Sequence, residues 1–253
     1  MQDRIIEIFK IPGKARVNKR IPKTLFYKNA ELNKAETKTF VDEIQSVQLL
    51  AMLNSDSIRV APFVNEDFNI SDVALMMVEL KNRGKEEKVA SIVHASIPYP
   101  LLIVLVHRNE IRFSTALKRL NKNDSSAVVM EDTKYSPWID LLFPLPVQKT
   151  FLNSLALDTL PFDNLFRLYL ALDNRVYLTE LIKLIDIYPS PEVNVREVQE
   201  MLDQIEELEK IMKNLQATMK REKSFARQME QHVQIQQVQQ QLEALITQLR
   251  EVC

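Results

Sequence analysis

Apolar and polar positions change their period several times along the chain, and each change marks an expected element. Phe40, Val41, Ile44, Val47, Leu50, Ala51 and Leu53 recur at helical spacing. Thr37 has the chemistry of an N-cap, so the pattern predicts a helix from Ala35 to Leu53, ended by Asn54-Ser55-Asp56. Two β-rich runs follow, Ile58 to Phe63 and Val73 to Lys81. The second is almost continuously apolar, as a strand covered on both faces must be. Gly84 opens the way into a second predicted helix, Lys85 to Ser96, which Ile97-Pro98-Tyr99-Pro100 stops. Leu101 to Val106, the turn His107-Arg108-Asn109-Glu110 and Ile111 to Leu117 read as a hairpin, and Val128 to Glu131 as one more short strand.

From Pro146 to Tyr188 the period is helical again, with Leu165, Leu168, Tyr169 and Leu172 on one face and Leu178, Leu181, Ile182 and Ile185 on another. Pro189-Ser190-Pro191 breaks the chain, and neither Pro nor Gly occurs from there to Cys253. One continuous helix is the expectation. Its apolar positions alternate by three and four: Met201, Ile205, Leu208, Met212, Leu215 and Met219, with Ala226, Met229 and Val233 in the same frame. A second frame, Ile235, Val238, Leu242, Leu245, Leu249 and Val252, is offset from the first, so the seam slips near Gln234 to Gln241, where the helix is expected to bend or fold back. The fold class is therefore α+β: an α/β-like head with a mixed sheet of about five strands and two flanking helices, then further helices and a long C-terminal coiled-coil helix. Four segments are expected: a basic extended arm over 1–34, the head over 35–145, a helical subdomain over 146–190 and the coiled-coil helix over 191–253.

Composition narrows the chemistry. The 33 basic and 34 acidic side chains nearly cancel, so attraction to nucleic acid must come from local patches. Such a patch is visible: Lys10, Lys14, Arg16, Lys19, Arg20, Lys23 and Lys28 follow one another with no acid between them. With Lys118, Arg119 and Lys122 they form a candidate phosphate-binding surface, in which Lys14, Arg16, Lys19, Arg20, Lys23, Lys118 and Arg119 are the expected contacts. The same composition is also common in a solvated terminus. Glycine occurs only twice, as Gly13 and Gly84, against roughly 7% in an average protein. Loops that wrap phosphates need several glycines close together, so Walker-type and dinucleotide sites are excluded. The single Cys253 excludes a disulfide within the chain and points to a reducing, cytoplasmic setting. The start MQDRIIEIFK has no signal pattern, and no stretch is long and apolar enough to predict a membrane span.

The sharpest catalytic pattern is Glu79-Leu80-Lys81 at the end of an apolar strand. In PD-(D/E)xK nucleases an acid binds a divalent metal and the lysine two positions on, facing the same side, positions the attacking water. Asp72 is the nearest second carboxylate on the same strand, with Asp56 and Glu43 as further candidates. The competing explanation is a charged strand end at the solvent boundary. No histidine pair has metal-ligand spacing and no serine nucleophile is flanked by glycine, so no metal site and no hydrolase triad are expected. No cofactor is expected, Mg2+ excepted should the nuclease reading hold.

Val17 to Thr24 with Phe26-Tyr27, Phe40 to Ile44, Ile97-Pro98-Tyr99-Pro100 and Lys118-Arg119-Leu120-Asn121, in that order and spacing, resemble a bacterial family known as domain of unknown function 4391. The resemblance implies a small companion of helicases and DNA methyltransferases in restriction-like and anti-phage loci. It would make the chain an accessory subunit whose coiled coil, through Ile205, Leu208, Met212, Leu215, Met219, Leu242, Leu245 and Leu249, docks a helicase or methyltransferase subunit, with the basic arm on DNA or on that subunit. A metal-dependent nuclease and a self-associating structural protein remain the alternatives.

Overall fold

The computed structural model describes residues 1–29, 32–122, 124–190 and 192–253; residues 27–29 and 124–127 are described by their backbone alone. Pro191, part of the expected chain break, and the side chain of Lys28 therefore lie outside the described residues. The chain divides into two compact units, Met1–Glu180 and Leu181–Cys253.

The first unit begins with α1 (Gln2–Ile8), β1 (Arg16–Arg20), α2 (Thr24–Asn29), α3 (Lys34–Glu43) and β2 (Ile44–Leu53). Next come α4 (Ser55–Ile58), β3 (Phe63–Val64), β4 (Asn69–Ile70), β5 (Val73–Leu80), α5 (Glu86–Ala95), β6 (Leu101–His107) and β7 (Glu110–Thr115). It closes with β8 (Lys118–Asn121), β9 (Asp124–Met130), β10 (Lys134–Tyr135), β11 (Ile139–Asp140), α6 (Pro146–Ser154) and α7 (Leu165–Tyr177). The main sheet runs β1-β2-β5-β6-β7-β10, with β11 also on β7; β3 with β4 and β8 with β9 form separate ribbons. All pairs in the main sheet are antiparallel except β5 with β6, which α5 connects as a crossover.

The α+β class is as expected, with a mixed sheet of seven strands. β5 and β6 are buried along nearly their whole length, which explains their unbroken apolar runs. One layer of the core joins Phe26, Phe40 and Val47 to Val89, Val93 and Ile103.

Three local expectations are corrected. The predicted helix 35–53 is helix only to Glu43 and strand from Ile44, and its N-cap is Asn33, which forms a capping box with Glu36. The run Ile58–Phe63 is not a strand: a helical turn ends at Ile58, and only Phe63 and Val64 pair, with β4. The arm over 1–34 is not a free extended segment. Ile5, Ile6, Phe9, Ile11, Ala15 and Phe26 are buried, and Arg16–Arg20 is the edge strand of the sheet. Its apolar residues make burial more favourable than solvation, so the arm lies in the same compact unit as the sheet, Met1–Glu180.

The second unit holds α8 from Leu181 onward (Glu180–Ile185), α9 (Val195–Met219) and α10 (Phe225–Val252). The long helical tail is present, but as two helices rather than one. Lys220–Ser224 forms the break, ahead of the glutamine cluster where the slip was expected. α9 and α10 pack along one another, and so short a link between helices of 25 and 28 residues makes them antiparallel. Val198 and Ile205 on α9 and Ile235, Leu242 and Leu249 on α10 are buried, while Leu208, Met212, Leu215, Met219 and Leu245 are half-buried. Ala226, Met229 and Val233 leave the seam and are exposed. A turn that resets the helical phase accounts for the two frames.

Candidate nucleic-acid interface

The basic edge is built by β1. Arg16 pairs opposite Ala51, Lys19 opposite Leu49 and Arg20 opposite Gln48, with a bulge between Arg16 and Lys19 where Asn18 takes a left-handed φ of 48°. All five strand residues are exposed. Pairing on one side only leaves a row of backbone groups open to another strand, and exposed lysine and arginine side chains oppose that recruitment. Among the described residues no carboxylate forms an ion pair with Lys14, Arg16, Lys19 or Arg20. Arg16 turns its Nε onto the carbonyl of Ile11 at 3.0 Å, while its charge stays uncompensated.

The remaining predicted contacts go elsewhere. Lys23 is half-buried and donates to the carbonyls of Ile44 and Val41, and Lys81 donates to the same Val41 carbonyl at 3.3 Å. Two ammonium groups thus close the C-terminus of α3, where the last carbonyls lack partners and the helix dipole favours cations. Burial, then the charges of Lys81 and Arg20, lower the Lys23 pKa.

Lys118 is buried, 5% exposed, with Nζ 2.5 Å from the carbonyl of Ile97 and 3.0 Å from that of Tyr99. Burial brings its pKa down to about 7. It fastens the Ile97-Pro98-Tyr99-Pro100 turn from inside the head, which corrects its expected place on a phosphate surface. Arg119 is exposed and stands 3.8 Å from Glu131. Arg119 lies on the separate β8–β9 ribbon, not on the sheet edge that carries the β1 cations.

The proposed metal pair is not assembled either. Glu79 lies opposite Ser46 on β2, and its carboxylate accepts the Ser46 hydroxyl at 2.9 Å. Asp72 precedes the other end of β5, where it accepts from Asn54 at 2.9 Å and Ser71 at 2.7 Å. The length of the strand separates the two carboxylates. Glu43 is engaged by Lys85 at 2.6 Å, and Asp56 lies in the helical turn α4. No group of three acidic, histidine or cysteine side chains able to hold a metal occurs among the described residues. His94 is fully buried with Nε2 3.1 Å from the Ser114 hydroxyl, and burial holds its pKa well below the usual value.

A family model described as Domain of unknown function (DUF4391) matches residues 9–242. The chain belongs to this family. The DUF4391 match spans the edge strand, the whole sheet and most of the helical hairpin, so these are parts of one family architecture. No curated protein and no solved structure matches the chain. Among the described residues no helix of this DUF4391 member is long and apolar enough to cross a membrane.

Proposed function

We propose that this DUF4391 chain is a non-catalytic assembly subunit of a cytoplasmic restriction-like or anti-phage complex. It docks a helicase or DNA methyltransferase subunit through its C-terminal hairpin, and contacts DNA through Lys14, Arg16, Lys19 and Arg20. The observation that carries the reading is the stripe Phe225, Met229 and Val233, which are 76%, 48% and 49% exposed at successive helical turns of α10. The seam between α9 and α10 is filled by the chain itself, so docking falls to this outer stripe. Large apolar side chains aligned on an exposed helix face mark interaction sites more often than chance exposure does. The uncompensated cations of β1 support the DNA contact.

The nuclease alternative, with Glu79, Lys81 and Asp72 around Mg2+, has weaker support, because each of the three side chains has a structural partner in place of a common metal. Self-association through the same stripe is the other alternative.

Co-expression with the neighbouring genes, followed by light scattering of the purified material, tests the reading on the full chain and on a Phe225→Asp, Met229→Asp variant. A helicase or methyltransferase that co-purifies with the first and not the second supports the assembly subunit. A stripe-dependent oligomer without a partner would favour self-association. DNA cleavage with magnesium that Glu79→Ala abolishes would replace the reading with the nuclease.

A further inference from the structure

Between α1 and α6 the first unit opens a cleft of about 620 Å³, large enough for several side chains. Its floor is apolar, from Ile8, Leu152 and Ala156, and its rim carries Arg4, Lys10 and Lys149 against the one acid Glu7. The walls are fixed. Phe9, just after α1, meets Phe113 edge-on with ring centroids 5.9 Å apart, and the Leu157 amide donates to the Phe9 carbonyl at 3.0 Å. Asp158 neutralises Lys10 at 2.6 Å, whereas Arg4 and Lys149 have no carboxylate partner among the described residues.

Beside the cleft, the segment after β11 is held in place by Asp140, whose carboxylate accepts the Leu142 amide at 2.8 Å, and by the Leu141 amide on the Asn109 carbonyl at 3.1 Å. This segment leaves Leu142, Phe143 and Leu145 exposed, Phe143 by 81%. Leu141 and Pro144 of the same segment line the cleft, so this apolar surface adjoins it and differs from singly scattered apolar residues, which need no explanation.

We infer that this cleft docks an acidic segment of a partner protein. Its carboxylates engage Arg4 and Lys149, and its apolar side chains cover Leu142, Phe143 and Leu145. Charge selects the class: the two uncompensated cations repel a basic segment. Apolar surface selects against a nucleic-acid strand, whose phosphates would satisfy the rim and leave the floor and lip wet. The site belongs to the first unit and the stripe to the second, so it adds a second attachment point to the chain.

The test selects peptides on the immobilised full-length chain from a phage-displayed random library and measures the enriched ones by fluorescence anisotropy. The comparison uses wild type, Arg4→Glu with Lys149→Glu, and Phe143→Ser. The expected result is enrichment of peptides that join Asp or Glu to aromatic or aliphatic residues, with roughly tenfold or greater loss of affinity in both variants at unchanged circular dichroism. Arg4→Gln with Lys149→Gln, which removes charge without reversing it, serves where the reversal disturbs the fold. Equal binding by the variants, or enrichment of basic peptides only, overturns the inference. So does citrate binding at Arg4 and Lys149 with no peptide enriched, since that describes a small-anion site. Hairpin-dependent co-purification is expected unchanged in the cleft variants, so the two readings fail separately.

Discussion

Lys134 sets its ammonium 2.5 Å from Oδ2 of Asp173, a carboxylate with no exposed surface. The pair fastens β10 to α7, and Lys134 also lies 5.1 Å from the centre of the Tyr177 ring. Removing either partner is unequal in effect, because only Asp173 is fully buried. Lys134→Ala leaves a buried carboxylate unpaired and is expected to cost about 3–5 kcal/mol, whereas Asp173→Asn removes that charge and costs less. Urea denaturation of the two variants checks the order.

Lys118 makes stability depend on pH. Its folded pKa of about 7 lies below the ordinary 10.5, so between these values the unfolded chain binds the extra proton. Stability therefore rises as pH goes from about 7 to 10.5, and the deficit is complete below the lower value. At about 1.4 kcal/mol per pK unit the change is at most on the order of 5 kcal/mol. Denaturation curves across this range should slope upward for the wild type and lose that slope in Lys118→Met.

Acid acts on His94. Neutral and buried in the fold, it gains a proton readily only when unfolded, so stability should fall as pH drops below about 6.5 towards its lowered folded pKa. His94→Gln is expected to flatten that acid limb even if it lowers stability at neutral pH, as denaturant titrations at pH 5 and 7 would read.

Within the hairpin, position decides the cost of truncation. Leu242→Ala empties the buried seam and should cost about 2–4 kcal/mol of local stability, while Met229→Ala, on the exposed stripe, should change it by less than about 0.5 kcal/mol. Hydrogen exchange of the α10 amides separates the two.

On the β1 edge, Lys19→Gln with Arg20→Gln should weaken binding to duplex DNA about equally for all sequences. It should also lower the slope of log affinity against log salt by about one for each phosphate that the missing cations no longer neutralise. Titration at several salt concentrations measures both.

The long central strands and the crossover helix α5 were legible because burial on both faces leaves unbroken apolar runs. β2 was not. Ile44, Val47, Leu50 and Ala51 satisfy a helical period, and only pairing with β1 on one side and β5 on the other decides for a strand. The tail break was hidden for a different reason. Helix reversals are usually announced by glycine or proline, but here the Glu222 carboxylate accepts the amides of Lys223 and Ser224 at 2.8 and 2.9 Å and closes the turn with a side chain. At the sites, charge clustering identified the exposed cations of β1 but could not tell them from Lys118. A lysine reads the same in sequence whether water or two carbonyls surround it. The cleft left no signal, since Arg4 and Lys149 come together only in the fold.

The contact between Lys10 and Asp158 joins positions 148 residues apart, and the Phe9 carbonyl meets Leu157 beside it. During synthesis the seat of the first helix therefore stays incomplete until residues up to about 160 have left the ribosome, even though Phe113 reaches Phe9 earlier. The hairpin needs only its own neighbours and forms on local contacts. The helix made earlier is thus locked late, and the hairpin made after it closes without waiting for it.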